Sequence, residues 1–86
     1  MSEEPRVING ADRRKKRLLE MLAYIVNNVG ATDQEIKAFM LIRYGLKNKT
    51  AAEYIFEAHL AKLIAPDGLK WHTTKTYQQM AKYLYS

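Results

Sequence analysis

The chain has 86 residues, 48% of them hydrophobic and 27% charged, which suits one domain with one core and leaves little material for a deep catalytic pocket. A formal net charge of +5 favours a polyanionic partner, nucleic acid ahead of an anionic membrane surface. Cysteine is absent, which excludes disulfides, thiolate metal sites and a cysteine nucleophile.

Residues 1–11 include Glu3, Glu4, Pro5, Asn9 and Gly10 and carry no apolar run. They read as a flexible tail rather than a signal peptide, with residues 12–86 as the folded domain. No stretch approaches the ~18–20 apolar residues of a membrane span, so the expectation is a soluble intracellular protein.

Asp12 is placed to cap a first helix over about 13–28, with Gly30 as its stop. The helix opens on five consecutive cations, Arg13, Arg14, Lys15, Lys16 and Arg17. Its apolar stripe is Leu18, Leu19, Leu22, Ile25, Val26 and Val29. Thr32-Asp33-Gln34-Glu35 has the spacing of a capping box and predicts a second helix bearing Ile36, Phe39, Met40 and Arg43. Gly45 is suited to end it in the left-handed conformation. A third helix is predicted from Lys47 or Asn48 to about Lys62. Its wheel places Ala51, Ala52, Ile55, Phe56, His59 and Leu63 on one broad side and Thr50, Glu53, Tyr54 and Glu57 on the other.

Leu63-Ile64-Ala65 and Leu69-Lys70-Trp71-His72-Thr73 read as short strands around a Pro66-Asp67-Gly68 turn. Thr73 or Thr74 is the expected cap of a last helix with Tyr77, Met80, Ala81 and Leu84 at helical spacing. The predicted fold is therefore mostly α with a small β-hairpin. Its order is that of a winged helix-turn-helix: a three-helix core, a wing and a C-terminal helix.

The run Thr50-Ala51-Ala52-Glu53-Tyr54-Ile55, then Ala58, then Leu63-Ile64, resembles the winged-helix transcriptional regulator family over about residues 17–84. Thr73-Thr74-Lys75 matches that family's threonine-capped helix after the wing. Where the family usually has glycine before the Leu-Ile pair, this chain has Lys62. The small size and basic, tyrosine-rich makeup look like the short regulators of archaea and their viruses and plasmids.

The resemblance implies sequence-specific binding of double-stranded DNA, with the helix from about 48 to 62 in the major groove. Contacts are then expected from Lys47, Asn48, Lys49, Thr50, Glu53 and Tyr54. Lys47 and Lys49 can neutralise phosphates, and Thr50 and the free amides at the helix start can bind a phosphate oxygen. Asn48 can pair with adenine or simply cap the helix, and Glu53 can accept from a cytosine amino group. Arg13, Arg14, Lys15, Lys16 and Arg17 are candidates to clamp the DNA backbone or to form a solvated helix start. Lys70 and Lys75 are wing-side phosphate candidates.

His59 and His72 are too few for a metal site. His59 is expected to be partly buried, and Trp71 to pack on the core or stack on a base. The tyrosine-rich end can pack on the first helix or form a homodimer seam, so a homodimer through the first or last helix is a second expected partner. No nucleophile–base pair, metal-ligand spacing or glycine-rich phosphate loop is present, so no enzyme activity, cofactor or small-molecule ligand is expected. Two other functions remain open: a protein–protein interaction module of the same fold, favoured by Glu53 and Glu57, and a non-specific architectural nucleic-acid-binding protein.

Overall fold

The computed structural model describes residues 10–85. The described residues form four helices and a small antiparallel sheet, in the order α1 (Gly10–Asn27), β1 (Ala31–Thr32), α2 (Asp33–Tyr44), α3 (Asn48–Leu60), β2 (Ile64–Asp67), β3 (Lys70–Thr73) and α4 (Tyr77–Tyr85). The fold is mostly helical with a hairpin, as expected, and the hairpin gains a third strand. The sheet order is β1-β3-β2, with Ala31 opposite Trp71 and Thr32 opposite Lys70.

α1 begins earlier than the apolar pattern suggests. Gly10 and Ala11 are helical, and Asp12 sits in the first turn rather than at the cap. A carboxylate is favourable at either place, because both face the unsatisfied amides of the helix start. The rest of the expected tail, residues 1–9, lies outside the described residues. α1 ends at Asn27, Gly30 turns the chain with φ +83°, and Val29 is exposed in the turn rather than on the apolar stripe. A Cβ on Gly30 would lie 3.2 Å from Cδ of Lys70, so the Lys70 stem passes directly over this residue.

The Thr32–Glu35 capping box forms as expected. The Glu35 amide donates to the Thr32 hydroxyl at 3.2 Å, and the Thr32 amide donates to the Glu35 carboxylate at 2.9 Å. Gly45 closes α2 at φ +71°, its amide donating to the Leu41 carbonyl at 2.7 Å. Stacking of Tyr24 on Phe39, with centroids 4.5 Å apart, ties α1 to α2. Beside it, Glu20 accepts from Arg43 Nε at 3.0 Å and from the Tyr44 hydroxyl.

The hairpin differs from expectation in its turn. Pro66 and Asp67 belong to β2, and Asp67 faces Lys70, so the loop is the two residues Gly68 and Leu69. Gly68 takes φ +69° at the first loop position, where short hairpins favour glycine. Pro66 is tolerated because β2 is an edge strand and its missing amide costs no ladder bond on the open side. Leu63 precedes the strand and is buried, while Leu69 is exposed at the tip.

The last helix is capped by Thr76, not by Thr73 or Thr74. The Gln79 amide donates to the Thr76 hydroxyl at 3.1 Å, and the Thr76 amide donates to the Gln79 side-chain oxygen at 3.0 Å. The reciprocal pair satisfies two otherwise orphan donors. Thr73 lies opposite Ile64 in the ladder, and the Thr74 hydroxyl donates to the Lys62 carbonyl at 2.6 Å. Met80 is fully buried and Leu84 partly so, while Tyr77, Tyr83 and Tyr85 are exposed. α4 packs on α1.

The core gathers Leu18, Met21, Leu22 and Ile25 from α1, Ile36 and Met40 from α2, and Ala51, Tyr54, Ile55 and Ala58 from α3. Leu63, Ile64 and Met80 close it.

Candidate nucleic-acid interface

α3 shows which expected site residues can meet a ligand. Its core-facing line is Ala51, Tyr54, Ile55 and Ala58, at i, i+3, i+4 and i+7. The small side chains of Ala51 and Ala58 allow close approach to the core, and Tyr54 fills the space between them. Tyr54 is only 1% exposed. Its expected role on the exposed face is therefore corrected: it is a core residue. Phe56 and His59, expected on the buried side, are exposed, Phe56 at 59%. The wheel has two apolar arcs, and the one with alanines packs because larger residues would hold the helix off.

The outward line of α3, opposite the core, is Lys49, Glu53, Phe56 and Leu60. Glu53 stands where expected. Phe56 and Leu60 were not read as surface residues from the sequence. The signal available was their spacing of seven and eleven residues from Lys49.

The start of α3 is open. Lys47 occupies the cap position in extended conformation, φ −75° and ψ 165°, and its side chain makes no cap hydrogen bond. The capping alternative for Asn48 is thereby removed: it is the first helical residue, and its side chain is exposed. Lys47, Asn48 and Lys49 are all exposed, and Thr50 is half-buried. The amides of a helix's first turn have no partner within the helix and carry the positive end of its dipole.

The basic run of α1 divides into two sets. Arg13, Lys15 and Lys16 are exposed. Arg14 and Arg17 turn toward the other helices. Arg14 lies over the Tyr54 ring, 4.6 Å from its centroid, and forms an ion pair with Glu57. Arg17 lies 5.2 Å from the centroid of Tyr44, which directly precedes the Gly45–Lys47 turn into α3. These contacts hold the cationic half of α1 beside α3 and the turn before it. Glu57, one of the two glutamates on this surface, has its charge offset by Arg14.

The hairpin lysines lie apart from this cluster. Lys70 begins β3, its stem across Gly30. Lys75 follows β3, beside the end of α3 through the Thr74–Lys62 bond. α3 has 13 residues, so Lys75 stands roughly 20 Å from its opposite end, where Lys47 is. Trp71 packs on the core edge: its Nε1 donates to Asp33 at 2.5 Å, and His59 meets the ring edge-on at 5.2 Å. His59 is thus exposed and placed against an aromatic ring rather than partly buried.

Among the described residues, no group of three or more His, Asp or Glu side chains is placed to hold a metal ion, and no helix is long and apolar enough to cross a membrane. Comparison with family models, curated proteins and solved structures finds no match to this chain.

Proposed function

We propose that the chain is a winged-helix protein that binds double-stranded DNA and acts as a sequence-specific transcriptional regulator. α3 enters the major groove, and β2–β3 form a short wing. The observation that carries this reading is the contact of the cationic start of α1 with α3 and the residue before its leading turn. Arg14 meets Tyr54 and Glu57 of α3, Arg17 meets Tyr44 ahead of the turn into it, and Lys47 and Lys49 stand exposed at the start of α3.

The start of α3, flanked by Lys47 and Lys49, presents amides suited to a phosphate oxygen. The Arg14–Glu57 pair offsets a negative charge that would repel the DNA backbone. An α-helix fits the ~12 Å width of the major groove, and groove-edge contacts then supply specificity. Lys70 and Lys75 serve as outlying phosphate contacts on the wing side. A homodimer through α1 or α4, whose tyrosines are exposed, would read two half-sites.

The test is duplex binding titrated against salt. With about 4–6 phosphates neutralised per protomer, log K should fall with log salt at a slope of about −4 to −5. Binding that is absent at low salt, or indifferent to salt, removes the proposal. A second reading, a protein-interaction module, draws on the exposed Phe56 and Leu60. It takes over if a partner protein binds through these residues and no duplex does.

A further inference from the structure

Phe56 is a large aromatic side chain at 59% exposure in the middle of α3, on the line directly opposite the core. Its neighbours on that line are Lys49, Glu53 and Leu60. Burying its exposed ring would be favourable, and none of the described residues does so. The surroundings argue against a broad apolar partner. Glu53 interrupts the line, the Arg14–Glu57 ion pair borders it, and Lys49 stands at its head. Phe56, with Leu60 one turn on, is a small apolar spot bordered by charges, and it matches a surface that is itself polar and anionic with isolated apolar points.

The DNA major groove is such a surface. Its edge is dominated by hydrogen-bond donors and acceptors, and its one apolar group of any size is the 5-methyl of thymine. We propose that Phe56 reads a thymine methyl, and so fixes a thymine within the binding site. This rests on the DNA-binding reading above and adds the base that α3 selects.

The spacing suits the role. Seven residues separate Lys49 from Phe56, about 10.5 Å of helix, or about three base pairs at 3.4 Å each. With Lys49 on a phosphate at the groove edge, Phe56 lies over bases further along. Glu53, between them, offers only acceptors and repels the acceptor pair of guanine while suiting an exocyclic amino group.

The experiment selects bound duplexes from a random library at physiological salt. It then replaces each thymine of the bound sequence with deoxyuridine, which removes the methyl and leaves every hydrogen-bonding group. At one or two positions the replacement should weaken binding about fourfold, the effect of one buried methyl-sized group. Phe56→Ala should bind the thymine and deoxyuridine duplexes equally and keep the salt slope, because no phosphate contact is lost. Its folding is checked by an unchanged thermal midpoint. Indifference of the unaltered protein to every replacement overturns the inference while leaving DNA binding intact. So does full methyl sensitivity in Phe56→Ala. Failure to bind any duplex, with capture of a protein through Phe56 instead, overturns the DNA reading and this inference with it.

Discussion

The Arg14 guanidinium on α1 lies 4.6 Å from the centre of the Tyr54 ring on α3. The ring beneath it is buried, and Glu57, one turn further along α3, pairs with the same guanidinium. Tyr54→Ala should therefore cost about 3–5 kcal/mol, the range for emptying a buried aromatic site. A surface residue would change stability by no more than about 0.5 kcal/mol. Urea unfolding of the two proteins separates these outcomes, and a small loss would contradict the burial.

Arg14 itself should contribute less. Its side chain is 41% exposed and that of Glu57 46%, so solvent screens the pair to about 0–1 kcal/mol. The cation over the ring adds about 0.5–1 kcal/mol. Arg14→Ala should lose about 1 kcal/mol in all, and a double-mutant cycle with Glu57→Ala should isolate less than half of it as pair coupling. On the DNA-binding reading, Arg14→Met weakens duplex affinity even at a distance from phosphate, because Glu57 is left uncompensated.

Lys62 holds φ +62° between α3 and β2, the left-handed region that costs a side-chain-bearing residue roughly 1–2 kcal/mol. The Thr74 hydroxyl donates to its carbonyl, and the Leu63 carbonyl accepts from the Thr74 amide at 2.9 Å, so the strained turn is held from β3's end. Lys62→Gly should raise stability by about 0.5–1 kcal/mol, after subtracting the extra freedom glycine has when unfolded. That is a gain of about 3–6 °C in Tm for a domain of this size. Thr74→Val should lower stability by about 1 kcal/mol through loss of the hydroxyl bond. A Lys62→Gly protein that melts lower would show that the lysine side chain makes a compensating interaction.

Features set by neighbours in the chain were legible in the sequence. The Thr32–Glu35 box and the Gly45 stop depend on residues three or four apart, and both formed as read. The Thr76–Gln79 box has the same spacing and was masked by two threonines just before it. Whether Thr74 caps a helix or bonds Lys62 depends on where β3 ends, which is a tertiary matter. β1 was not legible: two residues have no periodicity, and Ala31 and Thr32 are extended because β3 offers them a ladder. The orientation of α3 failed for a related reason. Tyr54 and Phe56 are both large aromatics, and only the packing of Ala51 and Ala58 against the core decides which turns inward. The cations of the candidate site were all visible in the sequence. Which of them turn inward onto Tyr54 and Tyr44 was not, because that depends on helix-to-helix packing.

Trp71 Nε1 donates to Asp33 at 2.5 Å, joining β3 to the first turn of α2. Trp71→Phe keeps most of the ring and removes the donor, and should cost about 1 kcal/mol because the carboxylate remains solvated. Asp33→Ala should cost slightly more, since it removes the acceptor and also a favourable charge from the helix start. Combined, the two changes should cost less than their sum. Trp71 is the only tryptophan, so its emission reports this junction directly, and Asp33→Ala should shift it without unfolding the chain.

Lys47 and Lys49 flank the open start of α3, and both are exposed. If each meets one phosphate, replacing either with alanine should flatten the log–log salt slope by about 0.9 and weaken binding to all duplexes alike. Stability should stay within about 0.5 kcal/mol, because neither side chain caps the helix or is buried. Lys82, exposed on α4 and away from α3, is the control: Lys82→Ala should leave the slope unchanged within error. The comparison reads position rather than total charge, since all three variants carry the same net charge. Equal loss of slope in all three would show that the duplex responds to overall charge alone, and the assignment of α3 to the groove would fall.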